Sequence, residues 1–166
     1  MVRNGRASAV RVRTSVLDRL ADAAPDQAAD PAADAPTVPD LLRLVQRDLE
    51  MLLNARKPWQ VLDRSRPDLR LSPLGYGLGD LGAGALNHAA DKEVLRSEIE
   101  ALIRRFEPRL AEVRVTALAS DSPLATTLPL SIDGLLLVDP DPEPVRFGTV
   151  VDPLSPAVML RTLRDL

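Results

Sequence analysis

Apolar positions recur with helical spacing in two stretches of the chain and alternate with polar ones in its last third. Between about Pro39 and Lys57, Leu41, Val45, Leu49, Leu52 and Leu53 fall on one face of a 3.6-residue period. Thr37 and Asp40 stand where a capping pair belongs, Pro39 suits the first turn, and Pro58 bounds the run. Arg43, Arg47, Asp48, Glu50 and Arg56 fall mostly off the apolar stripe, on the face expected to meet solvent. A second helix is predicted over about Asp91 to Phe106. Leu95, Ile99, Leu102, Ile103 and Phe106 share one of its faces, and Lys92, Glu93, Arg96, Glu100 and Arg104 the other. Pro108 disfavours helical geometry at Glu107 and ends it there.

Beyond Leu110 the period changes from 3.6 to 2. Val113, Val115 and Ala117 alternate with Arg114 and Thr116, a second strand is predicted over about Thr127 to Val138, and Val145, Phe147, Thr149 and Val151 give a third. Val158 to Leu163 can form a fourth. Asp133 and Gly134 could turn a hairpin, but the flanking runs are short, which favours a bulge. Two helices followed by consecutive strands predict an α+β domain, a pair of amphipathic helices on one face of a small antiparallel sheet.

Residues 1–36 read differently. Val16 to Leu20 is a short amphipathic patch, and Ala21 to Pro36 contains little but Ala, Asp and Pro. Such a run has too little apolar bulk to offset its ordering entropy. The expectation is a flexible arm over 1–36, with the patch as a tethered peptide, ahead of a folded domain over 37–166.

Composition narrows the function. The net charge of −3 gives no broad electrostatic footprint for nucleic acid. Without cysteine there is no disulfide, thiolate metal site or cysteine nucleophile. No apolar run is long enough for membrane insertion or a signal peptide, so a cytoplasmic protein is expected. His88 is the sole histidine and reads as a loop or helix-start residue, so neither a metal site nor a cofactor is expected. Gly77, Gly79 and Gly82 spell a dinucleotide fingerprint, but the strand before it and the helix upon it are missing. Trp59 reads as a packing residue beside the first helix.

The informative spot is the turn of Glu107, Pro108 and Arg109. A carboxylate at a helix C-terminus opposes the macrodipole, at a cost of a few tenths to about 1 kcal/mol. An arginine of this chain or of a partner would offset that, and Pro108 would project Glu107 and Arg109 at a fixed angle. At the end of the first helix, Arg56 suits the dipole and Asn54 can cap a carbonyl. Alternatively, Arg56 reaches the glycine loop or Glu107.

Four segments, in order, resemble the TssE subunits of type VI secretion systems, which belong with the lysozyme-like baseplate wedge proteins of contractile phage tails. Ser15 to Leu20 is similar to an N-terminal peptide of that family, and Arg47 to Arg56 to a Leu-rich helix ending in Leu-Asn-x-Arg. Gly75 to Leu81 resembles the family's glycine loop, and Phe106 to Leu110, followed by a Val-x-Val strand, its Glu-Pro-Arg motif. The proline-rich linker and the turn Asp152 to Pro156 depart from the pattern.

The resemblance implies a lysozyme-like baseplate wedge fold and a structural part, not an enzyme. The subunit would link the wedge to the contractile sheath and seed sheath assembly, at a baseplate docked on the inner membrane. Its implied partners are wedge subunits like TssF, TssG and TssK, and sheath proteins like TssB and TssC. The implied contact residues are Glu107, Pro108 and Arg109, with Asn54 and Arg56 beside them. An open sheet edge would accept a neighbour's strand.

The alternative is a peptidoglycan-cleaving, lysozyme-like hydrolase. It needs two carboxyl groups about 5–9.5 Å apart, one with a raised pKa. Glu107 could pair with Glu112, Asp121 or Asp133, but Arg104, Arg105 and Arg109 nearby would lower its pKa, the wrong direction for a general acid.

Overall fold

A computed structural model describes residues 37–57, 65–66, 68–79, 86, 88–119, 127–152 and 157–163. The 1–36 arm, Trp59 and Asp121 lie outside these, as do Gly82 and the turn at 153–156. Among the described residues, three helices, α1 (Val38–Asn54), α2 (Asp68–Leu71) and α3 (Ala89–Phe106), precede four strands: β1 (Leu110–Ala117), β2 (Leu128–Leu136), β3 (Glu143–Val151) and β4 (Leu160–Thr162). The strands pair in sequence order, all antiparallel. The α+β architecture follows the hydrophobic pattern.

The capping pair starts α1. The Thr37 amide donates to Asp40 Oδ2 at 3.0 Å, and the Asp40 amide to Thr37 Oγ1 at 3.4 Å. Leu41, Val45, Leu49, Leu52 and Leu53 are all buried, each leucine stabilising by about 1.5–3 kcal/mol. The helix ends at Asn54, three residues short of the predicted Lys57, because another backbone competes for the chain there. Leu78 donates to the Ala55 carbonyl and accepts from the Lys57 amide, both at 2.9 Å. That contact needs glycine at Gly77, whose φ is +98° and whose missing Cβ would lie 2.4 Å from the Ala55 oxygen. The short α2 and a 3-10 turn at Pro73–Gly75 have no counterpart in the sequence reading, being too brief for periodicity to register. His88 is the N-cap of α3 without a side-chain cap bond.

Side chains of both long helices join those of the sheet in one core around Phe147, Leu130 and Ile132. β2 runs unbroken through Asp133 and Gly134, so no hairpin forms there. The irregularity lies opposite, on β1 between Ala111 and Arg114. Glu112 takes a positive φ of 51° in that bulge, a backbone conformation that favours glycine.

Contrary to the expected open edge, helix side chains bond the outward backbone of both outer strands. On β1, the Val115 amide donates to Glu100 Oε2 at 3.0 Å, Arg96 Nη1 donates to the Val115 carbonyl at 2.9 Å, and Arg104 Nε to the Val113 carbonyl at 3.0 Å. At the β4 edge, the Leu160 amide donates to Glu50 Oε1 at 2.8 Å and Gln46 Nε2 to the Leu160 carbonyl at 2.9 Å. Asn54 bonds both backbone groups of Val158, donating from Nδ2 at 2.8 Å and accepting at Oδ1 at 2.6 Å. Each set has a spacing of four on its helix: Arg96, Glu100 and Arg104 on α3, Gln46, Glu50 and Asn54 on α1. Residues four apart share a helix face, so each helix lays one polar row along one sheet edge.

Candidate functional site

The turn after α3 is built around a buried acid. Glu107 is only 3% exposed, although it sits at a helix end between charged neighbours. Its amide closes the helix on the Ile103 carbonyl at 2.9 Å, and its own carbonyl accepts from Leu110 at 3.2 Å. The carboxylate is held from within the chain. Glu107 Oε1 accepts from the Arg109 amide at 3.1 Å and from Arg109 Nε at 2.7 Å, and Oε2 from Arg109 Nη2 at 2.5 Å. This two-oxygen clasp offsets the conflict with the helix dipole.

The clasp extends into α1. Arg109 Nη2 also donates to Asp48 Oδ2 at 2.5 Å, and Arg47 donates to Asp48 Oδ1 from Nε at 3.0 Å and Nη2 at 2.7 Å. Charges therefore alternate from surface to interior through Arg47, Asp48, Arg109 and Glu107. Burial alone would depress the Arg109 pKa, but bonding and charge from Glu107, then Asp48, raise it above its ordinary value. Tyr76 packs edge-on against Phe106, with ring centroids 5.3 Å apart. Its phenol is pushed up by burial first, then by the negative charges of Asp48 and Glu107. The glycine loop, the end of α3 and the middle of α1 thus meet at one place.

The expected site residues divide by exposure. Pro108 is exposed, while Glu107 and Arg109 turn inward on each other rather than projecting outward. A charge reversal at Glu107 is therefore not tolerated by the fold, since an arginine there would be buried against Arg109. Asn54 caps no carbonyl of its own helix, because its amide is spent on Val158. Arg56 has its backbone bridged to Leu78 and its side chain exposed, and it makes no bond to Glu107. Arg104 and Arg105 also turn away, Arg104 to Glu100 and Val113 and Arg105 to the Arg70 carbonyl. On α1, Arg47 and Met51 are exposed beside Asp48, four positions apart on the same face.

Asp48 is the residue that the sequence reading missed. It lies three positions after Val45 and four before Leu52, on the border of the apolar face. A carboxylate at such a position calls for an internal cation.

A family model described as baseplate wedge protein gp25 matches residues 39–141, most of the chain and all of the Asp48–Arg109–Glu107 cluster. The chain belongs to that family. It is the family that contains the TssE subunits. No curated protein matches the chain. Membership makes the chain a structural component of a baseplate wedge of the phage-tail type. Among the described residues no helix is long and apolar enough to cross a membrane, and no group of three or more His, Asp or Glu is placed to hold a metal ion.

Proposed function

We propose that this chain is a non-catalytic baseplate subunit of a type VI secretion system, joining the wedge to the contractile sheath and seeding sheath assembly. Its partners are wedge subunits like TssF, TssG and TssK, and sheath proteins like TssB and TssC, at a cytoplasmic baseplate docked on the inner membrane. The observation that carries this reading is the family match over 39–141 together with the locked corner it contains. Glu107, Arg109 and Asp48 fix the angle between α1 and the turn. Docking then falls to what that frame presents outward: Pro108 and Arg56 from the expected set, with Arg47 and Met51 of α1. Asn54 contributes by holding Val158, and so the last strand, against α1.

Pairing with sheath strands has to begin beyond the helix side chains that bond Val113, Val115, Val158 and Leu160, or to follow their release. Against the hydrolase alternative stands the Glu107 carboxylate, buried with both oxygens bonded to Arg109 and so closed to a substrate. Asp133 is likewise paired, with Arg146.

The test is co-purification of the wedge subunits with the full chain. A Pro108→Gly, Met51→Asp double variant should fold like the parent by circular dichroism and lose at least tenfold in wedge recovery. Unchanged recovery removes this surface as the docking site. Clearing of a peptidoglycan suspension by the purified chain would refute the non-catalytic reading.

A further inference from the structure

An open groove of about 510 Å³ lies where the first turns of α1 meet the end of the sheet, with none of Asp48, Glu107 and Arg109 in its lining. Val38, Leu42, Leu136 and Val145 supply apolar lining. Three carboxylates, Glu112, Asp133 and Glu143, line it against one cation, Arg146. Arg146 is paired with Asp133 across the strands, which leaves Glu112 and Glu143 exposed and in no ion pair with any described residue. An apolar floor with two uncompensated acids suits a segment that alternates apolar and basic side chains.

The chain carries one such segment, tethered at the groove itself. Val10, Val12, Val16, Leu17 and Leu20 are interspersed with Arg11, Arg13 and Arg19, against the single acid Asp18. The sixteen residues between it and Thr37 span up to roughly 50 Å when extended, and the helix they lead into begins with a groove residue, Val38. That linker carries four aspartates and no cation, so the acidic groove repels it while attracting the segment beyond. A tether of this length holds the segment at an effective concentration on the order of millimolar, an advantage over any free peptide of like charge.

We propose that the groove is the docking site for Val10–Leu20 of the same chain, with apolar side chains over Val38, Leu42 and Val145 and arginines facing Glu112 and Glu143. This inference does not rest on the proposed function and holds for the isolated chain.

The absence of cysteine allows one label to be placed cleanly. A nitroxide on Ser15→Cys of the full chain should broaden the Gly134, Val145 and Thr162 amide resonances. The broadening should be lost in the Glu112→Gln, Glu143→Gln double variant and in 0.5 M salt, which screens surface charge. Glu112→Gly, which removes one carboxylate and suits the positive φ, should fold normally and weaken the effect. Three outcomes overturn the proposal. One is an unbroadened groove in the labelled chain, and another is full broadening in the double variant. The third is equal broadening when labelled chain is mixed with unlabelled isotope-enriched chain, which assigns the groove to a second copy.

Discussion

Asp48 and Arg109, 61 residues apart in the chain, meet at 2.5 Å, and Arg109 carries that contact on to the buried Glu107. The pairing ties α1 to the turn after α3 and sets a ranking of costs. Arg109→Ala leaves Glu107 buried without a counter-charge, while Asp48 keeps Arg47, and should destabilise by about 3–5 kcal/mol. Glu107→Gln leaves Arg109 with Asp48 as a counter-charge and should cost about 3 kcal/mol. Asp48→Asn should cost least, because Glu107 still neutralises Arg109. Urea unfolding of the three variants checks the order, and a cost for Asp48→Asn above that for Arg109→Ala would refute the ranking.

Asn54 acts as a strand partner for Val158. Asn54→Ala removes a donor and an acceptor at once and should cost about 1–3 kcal/mol. The effect should be local as well as global, with amide exchange at Val158 and Leu160 rising more than at Ile132 in the middle of the sheet. Glu50→Gln keeps an acceptor for the Leu160 amide and should change stability by less than about 1 kcal/mol. Hydrogen exchange on the two variants separates edge loosening from general destabilisation.

Glu112 tests what the bulge costs. Relief of a positive φ in a non-glycine residue is worth about 1–2 kcal/mol, and the added freedom of glycine in the unfolded chain returns about 0.4–1 kcal/mol. Glu112→Gly should therefore raise stability by about 0.5–1 kcal/mol. Gly77→Ala should do the reverse, by about 2 kcal/mol or more, because its φ is +98° and its Cβ would strike backbone at Ala55. Thermal unfolding of both variants gives the two signs directly.

The long elements were legible because each has a single strong period. Five apolar positions placed α1 on the core, and alternation placed Val113 and Val115 inward. What could not be read was which polar residues turn inward. Gln46, Glu50 and Asn54 look like solvent-facing helix positions, and only the β4 backbone lying across them gives them partners. The pattern marks Glu107 and Arg109 as projecting together from the turn, whereas they bond each other in the interior, and their burial depends on Asp48 arriving from α1, a contact no local pattern encodes. The bulge was placed on the wrong strand for a similar reason. Gly134 marked the row, but it is the partner strand that bulges over it: a Cβ on Gly134 would lie 3.3 Å from the Ala111 oxygen.

Glu100 should govern part of the acid response. Its pKa is held below the ordinary glutamate value of about 4.5, first by the hydrogen bond from the Val115 amide and, against the opposing effect of burial, by Arg104 and Arg96. A depressed carboxylate stabilises the fold fully only above its unfolded pKa. That contribution is complete above about pH 4.5 and fades as pH falls through the lower folded value. Glu100→Gln can still accept from Val115 but cannot ionise, so the variant should be less stable than the parent at pH 7. The gap should narrow as the parent protonates, and the variant's stability should fall less steeply between pH 4.5 and pH 3. Urea midpoints across that range read the slope. Parallel curves for parent and variant would mean that Glu100 has the same proton affinity folded and unfolded, and that the β1 edge is held without its charge.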